Sequence, residues 1–476
     1  CYVVVPETAK NNNGKKKVLA SVLAGLALVG GAVAGNPAHA IVSSDGSINT
    51  EGSRIDIHAN AKPANSVGVN SIVVGYQNRT DNEDGTTALG ANNQAYGNSG
   101  LAVGNQNESS GGASTAIGAG NRAAGAATVA IGNVSNANAQ SAIAIGSYNN
   151  VDYTKGTWQT APKNAGAYST VVGNYSSATG RESAAMGVYS NSAGPGSFAA
   201  GYKENALGQN SVAIGSENTS HVADTITIGQ SNNAKTMGGI SIGKNNLTDS
   251  ADGNRGDVRR NHENSQIAIG RDNTATELDT IAIGRETKAI GSGATVIGAR
   301  AEAIGNNAIA IGQSGEGSPK VIAKGVNSIA IGMQSQTEGE SGVALGAGTR
   351  ANGQYGVAVG HIAKANVTRA TALGDETNAN IAEGVALGAS SVTTTDKGVV
   401  GYNPSDLHTR KYTNLQGNVQ TATTAAVSIG NGKTLTRQLT GLAAGTADTD
   451  AVNVAQLKNV GVAVTGNTGS SDFLTD

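Results

Sequence analysis

NSVAIGSEN occupies residues 210–218, and the phrase returns as SAIAIGSYN at 141–149, SQIAIGRDN at 265–273 and NSIAIGMQS at 327–335. The glycine that closes each such phrase falls at 75, 90, 104, 118, 132 and 146, then 173, 187, 201, 215, 229 and 243, then 270, 284, 298 and 312, then 332, 346, 360, 374 and 388. These are 21 copies in four blocks, stepping by 14 residues except for one step of 15, two of 27 and one of 20. A fixed period of this kind marks a repeat architecture. A second glycine often follows seven residues after the first, as Gly97 follows Gly90 and Gly208 follows Gly201. Each unit therefore reads as two strands of four or five residues, with turns at the glycines, which accept positive φ without steric cost. Val212 and Ile214 share one face of the first strand and Ala213 takes the other. Stacked turn on turn, with backbone hydrogen bonds from each turn to the next, such units predict an all-β, flattened parallel β-solenoid. In this reading the isoleucines and valines of one strand face small residues of the other across a thin core. The alanine-bearing face is left as an apolar stripe, which identical chains cover by cyclic association.

Composition agrees with a repeat fold and excludes several functions. Glycine contributes 68 of 476 residues, about twice its ordinary share, against 7 prolines and 3% aromatic residues. The net charge of −2 and the lack of a basic patch argue against nucleic acid as a partner. A single cysteine, Cys1, allows no disulfide within the chain, and the six histidines are scattered without metal-ligand spacing. Neither a cofactor nor a metal is expected.

The N-terminus reads as an export signal. Lys15-Lys16-Lys17 precede an apolar stretch from Val18 to Ala34, and Ala38-His39-Ala40 forms a cleavage site. The expected organisation is a signal peptide over 1–40, a linker over 41–66 and a repeat domain over 67–390. A transition over 391–433, a segment over 434–460 and the start of a further module over 461–476 complete it. The three irregular steps place insertions near 147–165, 244–264 and 313–325, on surface loops. The first holds the only tryptophan, Trp158, with Tyr148 and Tyr153 nearby. It reads as a contact loop or as a loop pinned by its own tryptophan. The second contains Arg255-Gly256-Asp257, an integrin-recognition tripeptide.

After the repeats, Val427-Ser428-Ile429-Gly430 is a last echo of the phrase. It is followed by Arg437-Gln438-Leu439, Ala443-Ala444-Gly445-Thr446 and the run from Asp448 to Lys458, DTDAVNVAQLK. These residues resemble the neck of trimeric autotransporter adhesins of the YadA-like type. The NSVAIG repeats resemble the same family's head, and Tyr2 to Lys17 resembles the end of its extended signal peptide. The resemblance implies a left-handed parallel β-roll assembled as a homotrimer, followed by a neck with a short helix. It also implies display at the cell surface through a C-terminal outer-membrane barrel absent from this sequence. In that family NSVAIG, followed by two residues and Ser, is associated with collagen binding. Asn210 and Ser211 match it, with Asn218 in place of the final Ser; Asn327, Ser328 and Ser335 match it with Ile329 for Val.

The expected function is a non-enzymatic surface adhesin. Its candidate partners are collagen or fibronectin of the extracellular matrix, a host-cell receptor such as an integrin, or other bacterial cells. The competing reading is a secreted β-solenoid enzyme acting on polysaccharide, which would need paired acids at fixed separation in a groove. Here the acids drift from repeat to repeat. A calcium roll would need a regular GGxGxD phrase, which is absent.

Overall fold

A computed structural model describes residues 41–42, 48–49, 55–58, 71–80, 84–150, 165–249, 265–401 and 417–459. The chain divides into two units, one ending at Leu278 and one beginning at Asp279. Both are parallel β-solenoids of 14-residue turns. In the turn that carries NSVAIG, a long strand Val212–Ser216 is followed by a short strand Thr219–Ser220. The next turn repeats the pair as Ile226–Gln230 and Asn233–Ala234. Long strands pair only with long strands and short with short, in strict parallel register: Val212 lies against Ile226, Gly215 against Gly229 and Thr219 against Asn233.

The register survives the insertions. Gly146 pairs with Gly173, and Gly243 with Gly270, across the two 27-residue steps. In the second unit Val321–Ala323 pairs with Ala301–Ala303, which confines that insertion to the residues between Gln313 and Val321. The ladder also reaches beyond the glycine repeats. Ile55–His58, inside the segment read as a linker, pairs with Ile72–Gly75 and adds a turn with histidine in the glycine column. At the other end Val427–Ser428 pairs with Val385–Ala386, so the last echo of the phrase is a true rung.

The glycine column follows from backbone crowding. Gly215 has φ +126°, and a Cβ there would lie 2.1 Å from the carbonyl oxygen of Gly229 in the next turn. Only glycine permits that approach. Two further positions per turn sit in the left-handed region, the second and the ninth after the glycine, as with Glu217 (φ 60°) and Asp224 (φ 59°). Asn210 (φ 52°) occupies the ninth position, which Gly196, Gly238 and Gly293 fill elsewhere, and Asn327 (φ 56°), after the 20-residue step, takes the same corner five residues before the next glycine. Asparagine is among the few residues that adopt this conformation at little cost, so the first letter of NSVAIG is chosen by a corner.

Two expectations need correction. The second strand is two or three residues long, not four or five. More important, the alternation runs the other way. Ala213 is fully buried and packs with Ala199 and Ala206, whereas Val212 and Ile214 lie half-exposed on the outside. The same order holds along both units: the second residue of each long strand is buried, and its two neighbours face out. The space between long and short strands admits a methyl or a hydroxyl and little more. The buried hydrophobic residues are accordingly almost all alanine, with valine at 73, 171, 296 and 321. A larger side chain has no room in so thin a close-packed interior.

Polar residues line the rest of the interior. In the third position after the glycine, Asn218, Asn232, Asn246 and Asn273 form a ladder. Each side-chain carbonyl oxygen of the first three accepts from the backbone N–H and side-chain NH2 of the next, at 2.9–3.1 Å. Asn78, Asn93, Asn107 and Asn121 repeat the arrangement. Each turn thus satisfies buried backbone groups that two strands alone would leave unpaired.

Candidate interaction surface

Three surface features arise from this geometry. The first is the outward face of the long strands, two parallel apolar columns. In the first unit they run through Ile226, Ile240 and Ile267 on one side and Ile214, Ile228, Ile242 and Ile269 on the other. In the second unit one column runs through Leu373 and Leu387, both more than 40% exposed.

The second feature is the segment after the repeats. Val454–Lys458 is a short helix whose N-cap Asn453 and Gln456 form a capping box, the side chain of each accepting from the other's backbone N–H. Val452, Val454 and Leu457 are each 67% exposed, so one chain gives this helix no hydrophobic support. Leu439 and Arg437 fold back onto the last turns and, with Val359, Leu373, Leu387 and Ile429, line a recess of about 490 Å³. The Arg437 guanidinium donates to the carbonyls of Ala389 and Ile429 and to Ser391 Oγ.

The third feature is a tyrosine row. Tyr148, Tyr175 and Tyr189 hold the second position after the glycine in three consecutive turns of the first unit, and their rings stack at 4.9 and 5.1 Å. Tyr202 closes the row edge-on to Tyr189 at 6.4 Å. Of these, only Tyr148 had been singled out in the sequence. The signal for the rest was present in the spacing, since each ring follows its glycine by one or two residues.

The sequence-derived candidates fall in different places. Ser211, Ser328 and Ser335 are fully buried. Ser211 Oγ donates to the Gly208 carbonyl and Ser335 Oγ to that of Gly332. Asn218, where the collagen-associated phrase has Ser, is buried in the asparagine ladder and donates to the carbonyls of Ile214 and Gly229. Asn210 and Asn327 stand at exposed corners, where Asn210 donates to Asp224 and Asn307 donates to Asn327. Trp158, Arg255, Gly256 and Asp257 lie outside the described residues, as does the signal-like segment 1–40. Among the described residues no cluster of three or more His, Cys, Asp or Glu is placed to hold a metal ion.

One buried acid stands out. Glu204 occupies the asparagine column between the Ser190 and Asn218 turns and is fully buried. Its Oε1 accepts from the Asn218 side chain at 3.1 Å, and its Oε2 has no hydrogen-bond partner. Burial pushes its carboxyl up to about 7, against the smaller opposing effect of the Asn218 hydrogen bonds.

Comparison with known proteins defines the class. The YadA head domain repeat matches at eight places between residues 66 and 377, covering 66–107, 178–203, 205–220, 267–287, 289–314, 323–349 and 351–377. The coiled stalk of trimeric autotransporter adhesins matches residues 438–474, running past the short helix into the segment read as a further module. Both matches are to modules of YadA-like trimeric autotransporter adhesins. The chain is 51% identical over 69 residues to the autotransporter adhesin BadA of Bartonella henselae, a match over 14% of this chain and 2% of that protein. The collagen-binding domain of the Yersinia adhesin YadA is 24% identical over 54% of this chain and 84% of its own, with a TM-score of 0.20. That superposition carries no argument here.

Proposed function

We propose that this chain is the head and neck of a surface adhesin. Three copies associate through the outward Ile/Val columns and the neck, and an outer-membrane anchor displays the trimer at the cell surface. The observation that carries this reading is the pair of apolar columns. An apolar stripe repeated turn after turn is more than a soluble monomer ordinarily exposes, and self-association of identical chains covers it in every copy at once. The neck supports the same reading, because its valines and leucine stand in solvent until other chains pack on them. A trimer of repeats presents each surface feature many times, so weak contacts multiply into firm attachment. The family matches are to adhesin models, and nothing in them favours the polysaccharide-enzyme alternative.

Collagen or fibronectin, an integrin-type receptor and other bacterial cells are the proposed targets. Asn210, Asn327, Trp158 and the Arg255-Gly256-Asp257 tripeptide are the residues to test, since the buried Ser211, Ser328 and Ser335 offer a ligand no approach. Light scattering on the chain from Ile41 onward should return three times the chain mass; a folded monomer would sink the assembly. An Asp257→Glu variant that still binds integrin-bearing cells as well as the parent would remove the tripeptide from consideration.

A further inference from the structure

Eight of the chain's 15 aromatic residues fall between Tyr148 and Tyr202, in a sequence only 3% aromatic. Four of them take left-handed backbone positions: Tyr168 (φ 61°) five residues before Gly173, and Tyr148 (φ 54°), Tyr175 (φ 55°) and Tyr189 (φ 57°) at the second place after the glycine. Other turns place Ser231, Asn245 and Asn92 there. A bulky ring is a poor choice for that conformation, and neither the strand register nor the alanine core asks for one. Tyr189 and Tyr202 are 46% and 43% exposed.

We propose that Tyr148, Tyr175, Tyr189 and Tyr202 form a binding ridge for an extended, uncharged, beta-1,4-linked pyranose chain lying along the stack of turns. The argument is one of period and charge. Stacked face to face, the first three rings recur once per turn, with centres 4.9 and 5.1 Å apart. An extended beta-1,4-linked chain advances by nearly this interval with each sugar ring, so one sugar meets one tyrosine. Polypeptides do not match: an extended strand returns a side chain to one face every ~6.6 Å, and a polyproline helix every ~9 Å. Tyr202, turned by 82°, sets its ring plane along the row instead of across it, the orientation for packing beside a sugar at the end of the chain. Exposed Asn174 stands beside Tyr175 and supplies an amide for sugar hydroxyls. The cation at the ridge is already paired. Lys203, which lies 5.0 Å from the Tyr202 ring centre, pairs with Glu217 at 3.4 Å. A neutral ligand fits this balance better than a sulfated or carboxylated one.

The proposal rests on the adhesin reading only for the ridge being displayed. The test is calorimetric titration of the exported chain with cello-oligosaccharides of increasing length and with malto-oligosaccharides as a helical, non-commensurate control. Affinity should rise with each ring until the four tyrosines are matched and then level off. The double variant Tyr175→Ser, Tyr189→Asn uses residues that other turns carry at this position. It should keep the parent's fold and mass while binding at least about tenfold more weakly. The proposal is overturned if cello-oligosaccharides do not bind, if malto-oligosaccharides bind equally, or if the double variant binds like the parent. It is also overturned if that variant changes the assembly mass, because the row would then be a contact between chains. A monomer that binds with the expected length dependence sinks the trimer and leaves the ridge; a trimer that does not bind sinks the ridge alone.

Discussion

Single residues in this molecule act through the turn above and the turn below. Glu204 shows what happens when the interior column receives an acid. Its neighbours along that column, Ser190 and Asn218, are uncharged, the nearest flanking charges are Lys203 and Glu217, and Oε2 has no donor. Because the folded carboxyl is pushed up to about 7 while an unfolded one titrates in the ordinary range, the folded chain binds the proton more tightly. The stabilisation is complete below the unfolded value. It is lost as pH rises through the window up to about 7, and the loss then levels off. We expect the first unit to lose on the order of 3 kcal/mol across that window, read as a falling denaturation midpoint between pH 5 and pH 8. In Glu204→Gln the slope should vanish and stability at pH 8 should rise; a slope unchanged in that variant would assign the effect elsewhere. At Gly215 the constraint is steric. Gly215→Ala forces a Cβ into the Gly229 carbonyl and a left-handed φ together. A cost above about 3 kcal/mol is expected, seen as fast amide exchange confined to the turns around residue 215.

At the scale of the strand, the two faces of one rung should respond oppositely to size. Ala213→Ile overfills a position where the interior accepts a methyl, and should cost about 1–3 kcal/mol or more. Ile214→Ala, one residue away, removes an outward side chain and should leave the isolated turn folded. Equal damage from both, measured by limited proteolysis, would mean that the faces are assigned wrongly. This contrast also explains what the sequence made legible. The 14-residue period, the pairing of turns and the corner glycines followed directly from spacing, because each reflects a backbone requirement that only glycine meets. The choice of inner face did not follow from hydrophobicity, since burying Ile and Val looked the better bargain. The usable signal was uniformity of size. In the 21 glycine turns the column of Ala213 holds Ala in most and otherwise only Ser, Thr or Val, while the column of Ile214 ranges over Ala, Val, Leu, Ile and Met. A position that is always small is bounded by neighbours. The tyrosine row escaped for a related reason: its members are separated in sequence by 13 to 27 residues, and only the stacking of turns brings them together. The targets named for Asn210 and Asn327 came from a phrase whose letters are largely explained by a corner, a buried hydroxyl and a glycine contact.

At the scale of the whole molecule, stability and assembly are divided between the two faces. The alanine and asparagine columns close each turn within one chain, and in the proposed trimer the Ile/Val columns and the neck are left for other chains. A turn so thin buries little apolar surface of its own, so association is expected to supply much of the resistance to unfolding, and that resistance should depend on protein concentration. The triple variant Ile214→Ser, Ile228→Ser, Ile242→Ser changes one outward column in three adjacent turns without touching the interior. We expect it to keep the β-sheet circular dichroism of the parent while lowering the mass in light scattering towards a single chain at micromolar concentration. If one column is insufficient to separate the chains, the concentration dependence of the denaturation midpoint should still steepen relative to the parent. A variant that stays at three chain masses with an unchanged midpoint would show that the outward columns do not hold the chains together, and would shift the search for the contact to the neck.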